Sequence, residues 1–168
     1  MTRDETYLFD VGPIALAHAA TPVSEVALEY VREAIQGRMR AIIPHPAVIG
    51  AHHILRNVYR IKNETASDLM MNLLSAKSIE WFKNISESMI RRGLETAGIY
   101  NIQGWDGYYA SIAKETDTDV VLTIDKDDFD TLPFVETEPV LNNEQMAELN
   151  SFLDELKGVN TGDRDMID

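Results

Sequence analysis

Tyr7-Leu8-Phe9 is an apolar run that stops on the carboxylate of Asp10 and breaks at once into Val11-Gly12-Pro13, before a second apolar stretch from Ile14 to His18. A strand closed by an acid and a Gly-Pro turn, leading into another apolar segment, predicts the first β-α step of an α/β sheet. In open sheets of that kind ligands bind beyond the carboxyl ends of the strands. Asp10 is therefore expected at the functional edge.

The same alternation continues along the chain. Val23, Val26, Ala27, Tyr30, Val31, Ala34 and Ile35 fall at helical spacing, with Pro22 and Ser24 marking the start and Gly37 the stop. Arg40 to Ile43 reads as a second strand, closed by Pro44-His45-Pro46, and a helix follows from Pro46 to Tyr59 with Val48, Ala51, Leu55, Val58 and Tyr59 on one face. Asn63 to Ala76 predicts a helix with a Leu69, Met70, Leu73 and Leu74 stripe, and Ser78 to Phe82 alternates as a strand. Ser86 to Ala97 is expected to be helical with Met89, Ile90 and Leu94 buried, and Gly98 to Gly104 to connect. Trp105 to Lys114 predicts a helix with Trp105, Tyr108, Tyr109, Ile112 and Ala113 inward. It feeds Asp119 to Ile124, the strongest central-strand candidate. Phe134-Val135 is expected as a short edge strand, Asn142 to Leu156 as a closing helix, and Gly158 onward as a disordered polar tail.

Strands that alternate with helices predict a three-layer α/β/α sandwich around a central parallel sheet of four to five strands, Rossmann-like in plan. With 168 residues the expected organisation is one domain, its core in 1–141 and a C-terminal helix and tail in 142–168.

The balance of 28 acids against 15 bases, a net charge of −13, argues against a protein that grips nucleic acid with its whole surface. Contact with a polyanion would have to be local, brief or bridged by metal. The chain has no cysteine, which suits a reducing cytosol. Met1-Thr2-Arg3-Asp4-Glu5 carries no hydrophobic signal segment, and no apolar run approaches bilayer-spanning length. A soluble cytoplasmic protein without a membrane partner is expected.

Topology gathers the acids. A helix that follows a strand starts at the strand's carboxyl edge, and so does a helix that leads antiparallel into the next strand. Four groups are thereby predicted on one rim: Asp10, His52 in the second turn of its helix, Asp106 in the first turn of its helix, and Asp125 just past Thr123, with Asp127 and Asp128 close behind. Like charges crowded together are costly unless a cation or protons neutralise them. Each also has a structural use. Asp106 complements a helix dipole, and the Asp125 to Asp130 run suits a solvated loop. His52 follows Val48 by four and precedes Leu55 by three, at the margin of the buried face, where a core histidine with a satisfied ring nitrogen is the commoner role. His53 points about 100° further round the helix, towards solvent. No Gly-rich phosphate loop, Ser-His-Asp order or Cys-His metal spacing is present.

Tyr7-Leu8-Phe9-Asp10, the Pro46 to Leu55 segment, and the order Asp106, small-rich helix, strand, then Thr123-Ile124-Asp125 with Phe129 nearby together resemble the PIN domain, the nuclease fold of VapC-type toxins and of several RNA-processing nucleases. The resemblance covers residues 5 to 137. It implies a PIN-like nuclease domain and a metal-dependent endoribonuclease that hydrolyses RNA phosphodiesters, as the toxin of a toxin–antitoxin pair. Asp10, Asp106 and Asp125 would be its catalytic acids on one or two Mg²⁺ or Mn²⁺ ions, with Asp128 as helper and Thr123 ordering Asp125. It further implies an RNA substrate, a small antitoxin partner and a homodimer, for which the Met70-Met71 and Leu73-Leu74 stripe offers an apolar surface.

Two positions depart from the pattern: His52 stands where the family has a glutamate, and Val11 where a hydroxyl residue often follows the first acid. A neutral imidazole prefers borderline metals, so Mn²⁺ would gain on Mg²⁺. The alternative is a catalytically impaired module that binds RNA or a protein partner. Glu64, at the start of the next helix, is a conceivable substitute for the missing carboxylate. Haloacid-dehalogenase and response-receiver domains also place an Asp after a first strand, but the former needs a second acid where Gly12 stands and the latter an acidic pair near that strand.

Overall fold

The computed structural model describes residues 5–124 and 129–162. Among them, five strands form one all-parallel sheet in the order β3-β2-β1-β4-β5. Its centre is β1 (Thr6–Phe9) between β2 (Arg40–Pro44) and β4 (Val120–Thr123), with β3 (Glu80–Phe82) and β5 (Glu136–Pro139) at the edges. Every residue of β1 and β4 is buried. A parallel strand covered on both faces has no solvent side to populate, which is why these segments read as unbroken apolar runs. The register pairs Leu8 with Ile42 on one side and with Val121 on the other. The Asp119 carboxylate locks the start of this centre by accepting a hydrogen bond from the Thr6 amide at 2.8 Å.

The helices α1 (Val11–Ala17) and α2 (Ser24–Ile35) connect β1 to β2, and α3 (His45–Asn57) and α4 (Asn63–Leu74) connect β2 to β3. The chain then reverses direction through α5 (Glu87–Tyr100) and α6 (Gly104–Thr116) to reach β4 on the far side of β1. Right-handed crossovers put α1 to α4 on one face and α5 and α6 on the other. The packing agrees: α1 lies against α2 and α3, α3 against α4, and α5 against α6. After β5, α7 (Asn143–Gly162) closes the chain. No helix among the described residues is long and apolar enough to cross a membrane.

Local chemistry sets the boundaries. Gly37 ends α2 at φ 68°, a left-handed conformation that a side chain would oppose. The Ser86 hydroxyl caps α5 by accepting from the Met89 amide. Asn101 and Asp117, residue types that tolerate positive φ, end α5 and α6 in the left-handed region.

Several expectations need correction. The last edge strand is Glu136–Pro139, not Phe134-Val135. Its polar sequence carries no burial signal, because it forms by pairing with the free edge of β4. On α5 the buried residues are Met89, Gly93, Thr96 and Ala97, whereas Ile90 and Leu94 face solvent. The reason is a backbone-to-backbone helix contact: a Cβ built on Gly107 would stand 2.1 Å from the Gly93 carbonyl oxygen. Small residues make that seam, and apolar periodicity does not register them. The connection after α5 therefore spans only Asn101 to Gln103. Trp105, expected inward, is 49% exposed. The α4 stripe divides, with Met70 and Leu73 buried and Met71 and Leu74 exposed. The closing helix runs past Leu156 to Gly162.

Candidate active site

Strand order reverses between β1 and β4, which makes their carboxyl ends the switch point of the sheet. Asp10 is the first residue beyond β1, and its amide extends the ladder by donating to the Leu122 carbonyl at 2.9 Å. Its carboxylate is held at both oxygens. Oδ1 accepts the Val11 amide at 2.6 Å, capping α1, and Oδ2 accepts the Thr123 hydroxyl at 2.9 Å. Thr123, expected to order Asp125, thus has its hydroxyl on Asp10, binding the last residue of β4 to the acid beyond β1.

Asp106 arrives from the opposite layer, half-buried in the first turn of α6. It lines the same cleft as Asp10 and Thr123, an opening of about 700 Å³. The remaining walls are mainly apolar: Val11, Ile124, Trp105, and the α3 face carrying Pro46, Ile49, Gly50 and Ile54. An apolar surround strengthens any electrostatic interaction inside it. α3 can close on this rim because Gly50 has no side chain: a Cβ there would lie 3.0 Å from Val11.

Of the residues expected at the site, Asp10, Asp106 and Thr123 come together. His52 does not. Its Nε2 lies 3.2 Å from the Ser67 hydroxyl, on the face of α3 that packs against α4. The histidine lining the cleft is His53, which lies four residues after Ile49 on the cleft face and whose ring meets the Asn57 amide nitrogen at 3.0 Å. Glu64 is exposed in the first turn of α4 and is absent from the cleft walls described. Asp125 and Asp128 lie outside the described residues.

Sequence reasoning passed over Tyr109, taken only as a core aromatic. It is 1% exposed, and its hydroxyl is buried without a hydrogen-bond partner. Burial first, and then the nearby Asp10, Tyr108 and Asp106, push its ionisation well above the ordinary tyrosine range. A buried hydroxyl left unpaired costs about 1–3 kcal/mol. The available signal was its spacing, three residues after Asp106 and so on the same helix face.

The donor chemistry suits a hard divalent cation. Carboxylate oxygens reach the cleft from two separate elements, and no thiol exists in the chain. With His52 turned away, its preference for borderline metals does not apply. Among the described residues no group of three or more acidic, histidine or cysteine side chains gathers to hold a metal. Asp10 and Asp106 are the described part of the set that the resemblance requires.

No protein-family model matches the chain, and no curated protein matches it in sequence. Solved structures do. VapC20 of Mycobacterium tuberculosis, a sarcin-ricin loop cleaving toxin, superposes with a TM-score of 0.63 at 12% identity, over 79% of this chain and 99% of that one. A toxin-antitoxin complex from Klebsiella pneumoniae gives 0.56 at 14% identity, over 81% and 98% of the respective chains. FitAcB from Neisseria gonorrhoeae gives 0.54 at 16% identity, over 80% and 97%. At such identities the likeness is one of fold, and the fold of this chain is that of the PIN-domain proteins of the VapC type.

Proposed function

We propose that this chain is a metal-dependent endoribonuclease acting in the cytoplasm as the toxin of a toxin–antitoxin pair. The observation that carries this reading is the meeting of Asp10, from the end of β1, and Asp106, from the first turn of α6, in one cleft at the switch point. Fold likeness to a ribosomal-loop-cleaving toxin and to a toxin-antitoxin complex supports the activity and a small protein antitoxin as partner.

Asp10 and Asp106, with Asp125 and Asp128 as further acids, would hold Mg²⁺ or Mn²⁺. An ion bound there supplies an activated water and stabilises charge developing on a phosphodiester. The chain's own residues do the positioning. The Val11 amide and Thr123 hydroxyl fix the Asp10 carboxylate in one rotamer. The Gly93–Gly107 contact fixes the height of Asp106 above the sheet. Ile49, Ile54 and Ile124 limit water at the cleft. The exposed Met71 and Leu74 on α4 form the surface we assign to pairing with a second copy. The test is RNA cleavage by the full chain with Mg²⁺ or Mn²⁺. Activity that disappears on chelation and in both Asp10→Asn and Asp106→Asn supports the reading, and cleavage that survives either substitution sinks it.

One observation favours the second reading, a PIN-fold module that binds RNA or protein without cutting: α3 has no acidic residue to offer the cleft. RNA that binds without being cut, at any divalent-ion concentration, would establish it.

A further inference from the structure

Tyr109 is packed so that its ring has one place to be. The ring centroids of Trp105 and Tyr108 lie 6.2 Å away and that of Phe129 6.4 Å away, so neighbours on several sides lock the rotamer. Other tyrosines of this core have found acceptors: Tyr108 donates to the Asn84 carbonyl, Tyr30 to Glu138 and Tyr7 to Glu5. Only the Tyr109 hydroxyl, among buried side-chain polar atoms of the described residues, is left without one. Phenylalanine would fill the same volume without that penalty, so packing alone gives no reason for the oxygen.

Its location supplies one. Tyr109 sits one helical turn after Asp106, and both Asp106 and Asp10 act electrostatically on its hydroxyl. A phenol O–H in the field of two carboxylates turns its proton towards them, and those two carboxylates line the cleft. Hard cations keep several of their waters when carboxylates bind them, and such waters need acceptors and donors of their own.

We propose that Tyr109 is a positioning residue of this site, whose buried hydroxyl completes its missing hydrogen bond to a water of a hydrated divalent cation held by Asp10 and Asp106. This rests on the cation-dependent reading above and deepens it, since no role has been assigned to this side chain. Tyr109 touches neither RNA nor the reacting atoms. It acts through the hydration of the ion, and it is held ready by the same aromatic cluster that leaves it unpaired.

The proposal makes opposite demands on the two states of the full chain. Removing the oxygen relieves the metal-free protein and weakens the loaded one. In Tyr109→Phe, the metal-free midpoint of thermal unfolding should stay level or rise, while Mn²⁺ affinity measured by calorimetry falls roughly fivefold, the value of one hydrogen bond. Tyr108→Phe is the control, since it loses a bond to the backbone of Asn84. It should unfold at lower temperature and bind Mn²⁺ as the wild type does. Equal Mn²⁺ affinity in Tyr109→Phe and wild type overturns the proposal and leaves the nuclease reading standing. A lowered metal-free midpoint also overturns it, because the oxygen would then be serving the fold. Wild type that binds no Mn²⁺ overturns both.

Discussion

Gly107→Ala isolates the contact that sets the position of Asp106. Alanine is the better helix former, so in an open helix this change would stabilise by up to ~1 kcal/mol. Here the added Cβ would stand 2.1 Å from the Gly93 carbonyl oxygen and 2.9 Å from both the amide nitrogen and the Cβ of Ala97. A separation of 3.0 Å is the practical minimum, so α5 and α6 must part by roughly 0.9 Å. The carbonyl cannot swing aside, because it belongs to the α5 helix. Overpacking costs about 1–3 kcal/mol, and a gap of this size forfeits a quarter to a half of each dispersion contact along the seam. The backbone clash puts the cost at the upper end, and after the propensity gain a net loss of about 2 kcal/mol is expected. Gly98→Ala, on the same α5, is the counterpart: nothing lies within 4 Å of its new Cβ. It should stabilise by up to ~1 kcal/mol. Urea unfolding of the two variants, with the slope unchanged, reads both signs. Because Asp106 immediately precedes Gly107, Mn²⁺ affinity should fall in Gly107→Ala alone. A Gly107→Ala protein as stable as Gly98→Ala would refute the close approach and with it the account of how α6 delivers its carboxylate.

Other substitutions test other parts of the site. Thr123→Val keeps the shape of a residue 1% exposed but removes the hydroxyl donor to Asp10. A loss of about 2 kcal/mol in urea unfolding is expected for a hydrogen bond to a charged group, together with weaker Mn²⁺ binding. His52→Gln should leave Mn²⁺ affinity within twofold of wild type (~2), because the ring faces Ser67; a large loss in calorimetry would return His52 to the site. His18 has its pKa lowered from 6.5, by burial first, against the opposing effect of the Ile14 carbonyl, which its Nδ1–H meets at 2.8 Å. The unfolded chain therefore binds the proton more readily, and this contribution to stability is whole above pH 6.5 and lost as pH falls below it. His18→Gln should flatten the wild-type fall in urea midpoint between about pH 6.5 and 5; an unchanged slope would show that His18 titrates alike in both states.

The central strands were readable because burial on both faces turns β1, β2 and β4 into continuous apolar runs, and a strand that ends on Asp10 points to the edge where the cleft opens. β5 was not readable, since Glu136–Pro139 owes its conformation to the partner edge and carries no pattern of its own. The inward face of α5 was misread at Ile90 and Leu94 for a related reason. A glycine seam is a statement about how closely two backbones approach, and periodicity records only large apolar side chains. His52 takes the commoner role, its ring nitrogen meeting Ser67, and His53 is exposed as its phase predicts; what helical phase leaves open is that the cleft borders His53. Adjacent residues differ by about 100°, and whether one faces α4 or the cleft depends on how α3 rolls on its neighbours. Thr123 was expected to order Asp125, which lies outside the described residues, and its hydrogen bond to Asp10 required coordinates. Tyr109 was visible as a buried aromatic, yet nothing in a sequence distinguishes a satisfied phenol from an orphaned one.

Anomalous scattering from a crystal of the full chain soaked in Mn²⁺ tests the central claim most directly. The account predicts a peak in the cleft within coordination distance of both the Asp10 and Asp106 carboxylates. A peak elsewhere, or a carboxylate of either residue turned out of the cleft, would contradict it.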